Sequence, residues 1–68
     1  MDMVNKNAIM WRQSDNKEIL RRLNDWVCLY PELRFGQILI NSNVLEYIDG
    51  KVKDPFNDEP STILKRMR

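Results

Sequence analysis

Tyr30-Pro31-Glu32-Leu33-Arg34-Phe35-Gly36-Gln37-Ile38-Leu39-Ile40-Asn41 is the stretch on which the fold turns. Proline disfavours the α region for the residue before it, so Pro31 ends whatever helix precedes it. Proline also suits the first position of a helix, and Glu32 would then place a negative charge at the positive end of the helix dipole. The spacing predicts a second helix from Pro31 to about Asn41, joined to the first by a sharp αα-corner. Leu33, Phe35, Ile38, Leu39 and Ile40 make it apolar around more than half its circumference, and Arg34, Gln37 and Asn41 form a polar stripe. Gly36 costs roughly 1 kcal/mol in a helix interior relative to alanine. Close packing against Trp26 or another helix is the expected reason for it.

Upstream, Asp15 with Glu18 three residues on fits a capping box, with Ser14 as an alternative cap. Ile19, Leu20, Leu23, Trp26, Val27 and Tyr30 then recur at three- and four-residue steps, the pattern of an amphipathic helix of about four turns. Arg21 and Asp25 are spaced to pair on its outer face. Residues 1–13 show no sustained period and read as an N-terminal arm, with a short strand as one option and Trp11 packing on a core edge or a partner. Residues 14–68 read as one small helical domain.

Downstream, Asn41-Ser42-Asn43 is a turn cluster. Two readings stand for residues 44–53. Asp49-Gly50 between two short apolar runs fits a hairpin with a type I′ turn. Alternatively the helix continues through Tyr47 and Gly50 terminates it. An isolated hairpin is marginally stable, so irregular or weakly extended structure is the favoured expectation. Asp54-Pro55-Phe56-Asn57-Asp58-Glu59 is turn chemistry with Phe56 as an aromatic anchor. Pro60 then opens a short final helix through Ile63, Leu64 and Met67, capped by Glu59 or Asp58. The expected fold is mainly α: a two-helix corner, a long loop, and a short C-terminal helix closing the core. That core is expected to centre on Leu20, Leu23, Trp26, Val27, Leu33, Ile38, Leu39, Phe56, Ile63 and Leu64.

Size bounds the stability. A chain of 68 residues is one domain and buries only about 60% of the surface that its unfolded form exposes. Cys28 is the sole cysteine and histidine is absent, so neither an internal disulfide nor an ordinary zinc set supplies support. Cys28 reads as a small buried apolar side chain in a reducing cytosol. Good packing or oligomerisation is left as the stabiliser.

The same composition argues against chemistry. Without histidine, general acid-base candidates reduce to carboxylates and two tyrosines, and Ser14, Ser42 and Ser61 carry no nucleophile signature. Asp49, Asp54 and Asp58 invite comparison with a calcium loop, but Gly50 directly after the first acid and the missing closing glutamate break the EF-hand pattern. The expectation is a non-enzyme with no cofactor and no metal. The net charge of +1 calls for neither nucleic acid nor membrane. No apolar run approaches the roughly 20 residues that span a bilayer, and no signal-peptide h-region is seen, so a cytoplasmic protein is expected.

The Leu-Arg-x-Gly-Gln core within Pro31 to Asn41, followed by Asp54-Pro55-Phe56 with Asp58 and Glu59, resembles a small family of uncharacterised bacterial and phage proteins. Their pattern is proline, an acid, Leu-Arg, an apolar residue, Gly-Gln, two aliphatics and asparagine. The resemblance covers about residues 19–67. It implies a domain of unknown function carried on phages and mobile elements, and no catalytic residues. It also implies that Arg34, Gly36, Gln37, Asn41, Asp54 and Phe56 form one structural unit, with Arg34 tying Asp54 or Asp58 over the second helix. Two functions follow as expectations. One is a protein-interaction or inhibitor module that meets an unidentified protein, or itself, through the loop bearing Asp49, Asp54 and Asp58 or the basic tail with Lys65 and Arg66. The alternative is a nucleic-acid-binding accessory protein that uses Arg34, Gln37, Asn41 and that tail.

Overall fold

The computed structural model describes the backbone from residue 6 and side chains from residue 9, through to residue 68. The described residues form helix α1 (Lys6–Leu29), helix α2 (Phe35–Asn41), strands β1 (Tyr47–Ile48) and β2 (Lys51–Val52), and helix α3 (Pro60–Arg66). The small mainly α fold expected from the sequence is present.

Helix α1 is longer than the capping signals suggest. It starts at Lys6 and passes through Ser14 and Asp15 without interruption. Residues 6–13 were expected in an N-terminal arm with a short strand as one option, yet they contain no glycine or proline, and Ala8, Met10, Arg12 and Gln13 are good helix formers. Residues 1–5 of that arm lie outside the described residues. A long-range contact also holds the extension: the Arg12 guanidinium donates to both carboxylate oxygens of Glu59, at 3.0 and 2.8 Å. The end at Leu29 agrees with the effect of Pro31 on its predecessor.

The corner is built differently from the expectation. Pro31 does not begin α2; residues 31–34 are non-helical. The Leu33 amide donates to the Tyr30 carbonyl at 3.1 Å, so Pro31 occupies the second position of a β-turn, where its fixed φ serves equally well. Helix α2 starts three residues beyond Glu32. The Gln37 side-chain oxygen accepts from the Arg34 backbone N–H at 2.8 Å, half of a capping-box arrangement.

The core is thin. Ile19, Leu23 and Ile38 are its buried hydrophobic residues, with Trp26, Leu33, Leu39, Val44, Ile63, Leu64 and Met67 partly buried around them. Leu20, Val27 and Phe56, expected inside, are exposed. The helical period does not distinguish Ile19 from Leu20, because a broad apolar arc offers two faces and α2 and α3 cover only one. Cys28 is exposed rather than buried. Gly36 is not a packing glycine: a Cβ added there meets nothing within 4 Å.

The hairpin forms. Tyr47 pairs with Val52 and Ile48 with Lys51 in antiparallel register. Asp49 and Gly50 both take positive φ, 52° and 77°, as a type I′ turn requires. The Lys53 amide adds a further bond to the Glu46 carbonyl at 2.8 Å. In α3, Pro60 stands in the first turn after Glu59 as N-cap, as the sequence suggested.

Candidate functional site

Residues 42–46 leave α2 and enter the hairpin, and one side chain from α3 fixes their path. The Arg66 guanidinium donates to the Asn43 carbonyl (2.7 Å), the Val44 carbonyl (2.6 Å), Glu46 Oε1 (3.2 Å) and Asp58 Oδ2 (3.0 Å). In return the Asn43 side-chain amide donates to the Arg66 carbonyl at 3.0 Å. Asn43 has φ 67°, a left-handed conformation that asparagine tolerates better than most residues, and this turns its carbonyl toward the arginine. The Arg66 and Asp58 side chains are 18% and 15% exposed, so this pair is shielded from solvent more than the other ion pairs here. Lys53 joins from the residue after the second strand, with Nζ 3.6 Å from Glu46 and 3.9 Å from Asp58.

Below this cluster, Ser42 is wholly buried. Its hydroxyl donates to the Leu39 carbonyl at 3.3 Å, its amide to the Ile38 carbonyl at 2.9 Å, and its own carbonyl accepts from the Arg68 amide at 3.0 Å. A small hydroxyl that satisfies its own hydrogen bonds fits where a larger polar side chain would not. Sequence reading missed Ser42, since a serine between two asparagines looks like a surface turn. The long-range fact at this position is the return of the chain beyond α3, which brings the Arg68 amide to the Ser42 carbonyl.

What the clamp holds out is apolar. Cross-strand partners share a face, so Tyr47 and Val52 lie on one side of the hairpin and Ile48 with Lys51 on the other. All four are exposed. In the loop that follows, Asp54 Oδ1 accepts from the Phe56 amide at 2.9 Å and the Asp58 amide donates to the Pro55 carbonyl at 2.9 Å. These local turns lift the Phe56 ring into solvent, 87% exposed. Phe56 is therefore no anchor of the core.

The other sequence candidates separate. Asp49 and Lys65 are exposed, as is Asp54, whereas Asp58 and Arg66 bond to each other inside the fold. The tie expected from Arg34 to the acidic loop is absent and Arg66 makes it instead: Arg34 is exposed, and it bonds through its backbone, donating to the Gln37 side chain and accepting from the Ile38 amide. Asn41 lines a shallow groove of about 370 Å³ with Trp26, Tyr30, Glu32, Leu33 and Arg68. Arg34, Gly36, Gln37, Asn41, Asp54 and Phe56, all exposed, thus do not make one packed unit.

A second groove, about 390 Å³, lies between α1 and the start of α3, lined by Trp11, Arg12, Ser14, Asp15, Glu59, Pro60 and Ser61. The Glu59 pairing holds the Arg12 guanidinium above its ordinary value. Among the described residues no cluster of histidine, cysteine, aspartate or glutamate is arranged to hold a metal ion, and no helix is long and apolar enough to cross a membrane. No family model, curated protein or solved structure matches this chain.

Proposed function

We propose that this protein is a non-catalytic protein-interaction module whose contact surface is the hairpin and adjoining loop, residues 47–56. One observation carries the reading: a two-stranded hairpin exposes large apolar side chains on both faces while its base is fastened to the helical frame. Tyr47, Ile48, Val52 and Phe56 are all exposed. A hairpin of two-residue strands is not stable by itself, and the bonds from Arg66 reach its approach and its exit. Exposed apolar groups on a fixed support are the arrangement expected of an interface whose partner supplies the missing cover. The partner is accordingly a protein with an apolar groove or shelf. The resemblance to phage and mobile-element proteins supports an accessory or inhibitory role for such a module.

The test is affinity capture from the native host with the wild-type chain beside a Tyr47→Ser/Phe56→Ser double variant. The reading expects a protein retained by the wild type and lost with the variant, whose helical circular dichroism stays unchanged. Equal retention by both would overturn it.

A further inference from the structure

Helix α1 has three distinct faces. One packs on the core through Ile19, Leu23 and Trp26. A second is charged: Glu18 accepts from Arg21 at 2.7 and 2.8 Å and from Arg22 at 3.1 Å, and Arg21 also donates to Asp25 at 3.0 Å. The third carries no charge between Ile9 and Val27. At 3.6 residues per turn, Ile9, Gln13, Asn16, Leu20, Asn24 and Val27 fall within an arc of about 80°. All six are exposed, Leu20 at 65%. A helix face that meets only water is normally the charged one, and α1 already has such a face.

The order of residues along this third face is nearly the same from either end: aliphatic, amide, a central Asn16–Leu20 pair, amide, aliphatic. We propose that α1 pairs antiparallel with α1 of a second copy of this chain across a dyad level with Glu18. In that register Ile9 meets Val27 of the second copy, Leu20 meets Asn16, and the Gln13 and Asn24 carboxamides come within a residue of each other. Carboxamides both donate and accept, so Gln13 and Asn24 satisfy one another twice per dimer. A two-fold interface needs such self-complementarity, and a groove on an unrelated protein would not. A net charge of +1 sets little repulsion against self-association. The nearest rim charge, Lys17, has a stem long enough to reach water. The stripe is about 27 Å long, which places the contact at the small end of specific interfaces and makes the dimer concentration-dependent.

Sedimentation velocity from micromolar to millimolar chain concentration provides the first test. The wild type is expected to shift from monomer to dimer, and Leu20→Glu to remain monomeric with unchanged circular dichroism, since that side chain lies outside the core. A wild type that stays monomeric throughout, or a Leu20→Glu chain that dimerises equally well, would overturn the proposal. Register is tested in a Cys28→Ser background. Ile9→Cys with Val27→Cys is expected to form a covalent dimer on mild oxidation, and Val27→Cys alone is not. Equal cross-linking by the single variant would overturn the antiparallel arrangement.

Discussion

Arg66 and Gly36 show how far a residue's type can mislead about its role. Arg66 sits in a basic run at the end of the sequence, where three cations without an acid suggest a solvated tail. Asn43, Glu46 and Asp58 recruit it from 8 to 23 residues away, a convergence that no local pattern announces. Replacing Arg66 by alanine leaves Asp58 shielded and without its strongest partner, so the hairpin and loop are expected to lose about 2 kcal/mol, read from amide exchange at Lys53 and Asp58. Arg66→Lys should recover little of it, because one ammonium cannot reach four acceptors in fork geometry. Gly36 lies in open space inside α2 with no positive φ. Gly36→Ala is expected to raise stability by up to about 1 kcal/mol; a lowered melting temperature would show that the position has a steric role in the fold.

Among the elements, α1 and the hairpin were legible to different depths. The helical period located the middle of α1 and Pro31 located its end, but Asp15 and Glu18 read as a cap because capping residues also occur inside helices. Their actual partners differ: Glu18 serves Arg21 and Arg22, and Asp15 borders the groove beneath Trp11. Hydrogen bonds from Arg21 first, then Arg22, hold the Glu18 carboxyl at about 2 against an ordinary value of 4.5. A lowered folded-state value means the stabilisation is present above the unfolded value and lost as pH falls toward 2. The melting temperatures of wild type and Glu18→Gln should therefore differ at neutral pH and converge near pH 2; a difference independent of pH would contradict this network. The hairpin was visible in Asp49-Gly50 and in the flanking apolar runs. Its survival was not, because the bonds that hold its base come from α3. Gly50, at φ 77°, is expected to cost the hairpin about 1 kcal/mol on replacement by alanine, read as reduced amide protection at Lys53.

At the scale of the whole molecule, the described residues span 43 × 29 × 18 Å, an elongated body set by α1, with a core of few buried side chains. The sequence indicated a mainly α domain near the limit of self-sufficiency, and the thin core agrees with it. It did not reveal which apolar residues the core leaves out. Leu20, Val27 and Phe56 look like core residues by type and period, and only the placement of α2 and α3 puts them outside. The account rests on the hairpin and loop being a distinct unit fastened by Arg66 to a helical frame that stands without it. Residue-resolved amide hydrogen exchange of Arg66→Met against wild type tests this most directly. The account predicts that protection of the Lys53 and Asp58 amides falls at least about tenfold more than that of Leu23 in mid-α1. Unchanged protection at Lys53, or an equal fall at all three, would contradict it.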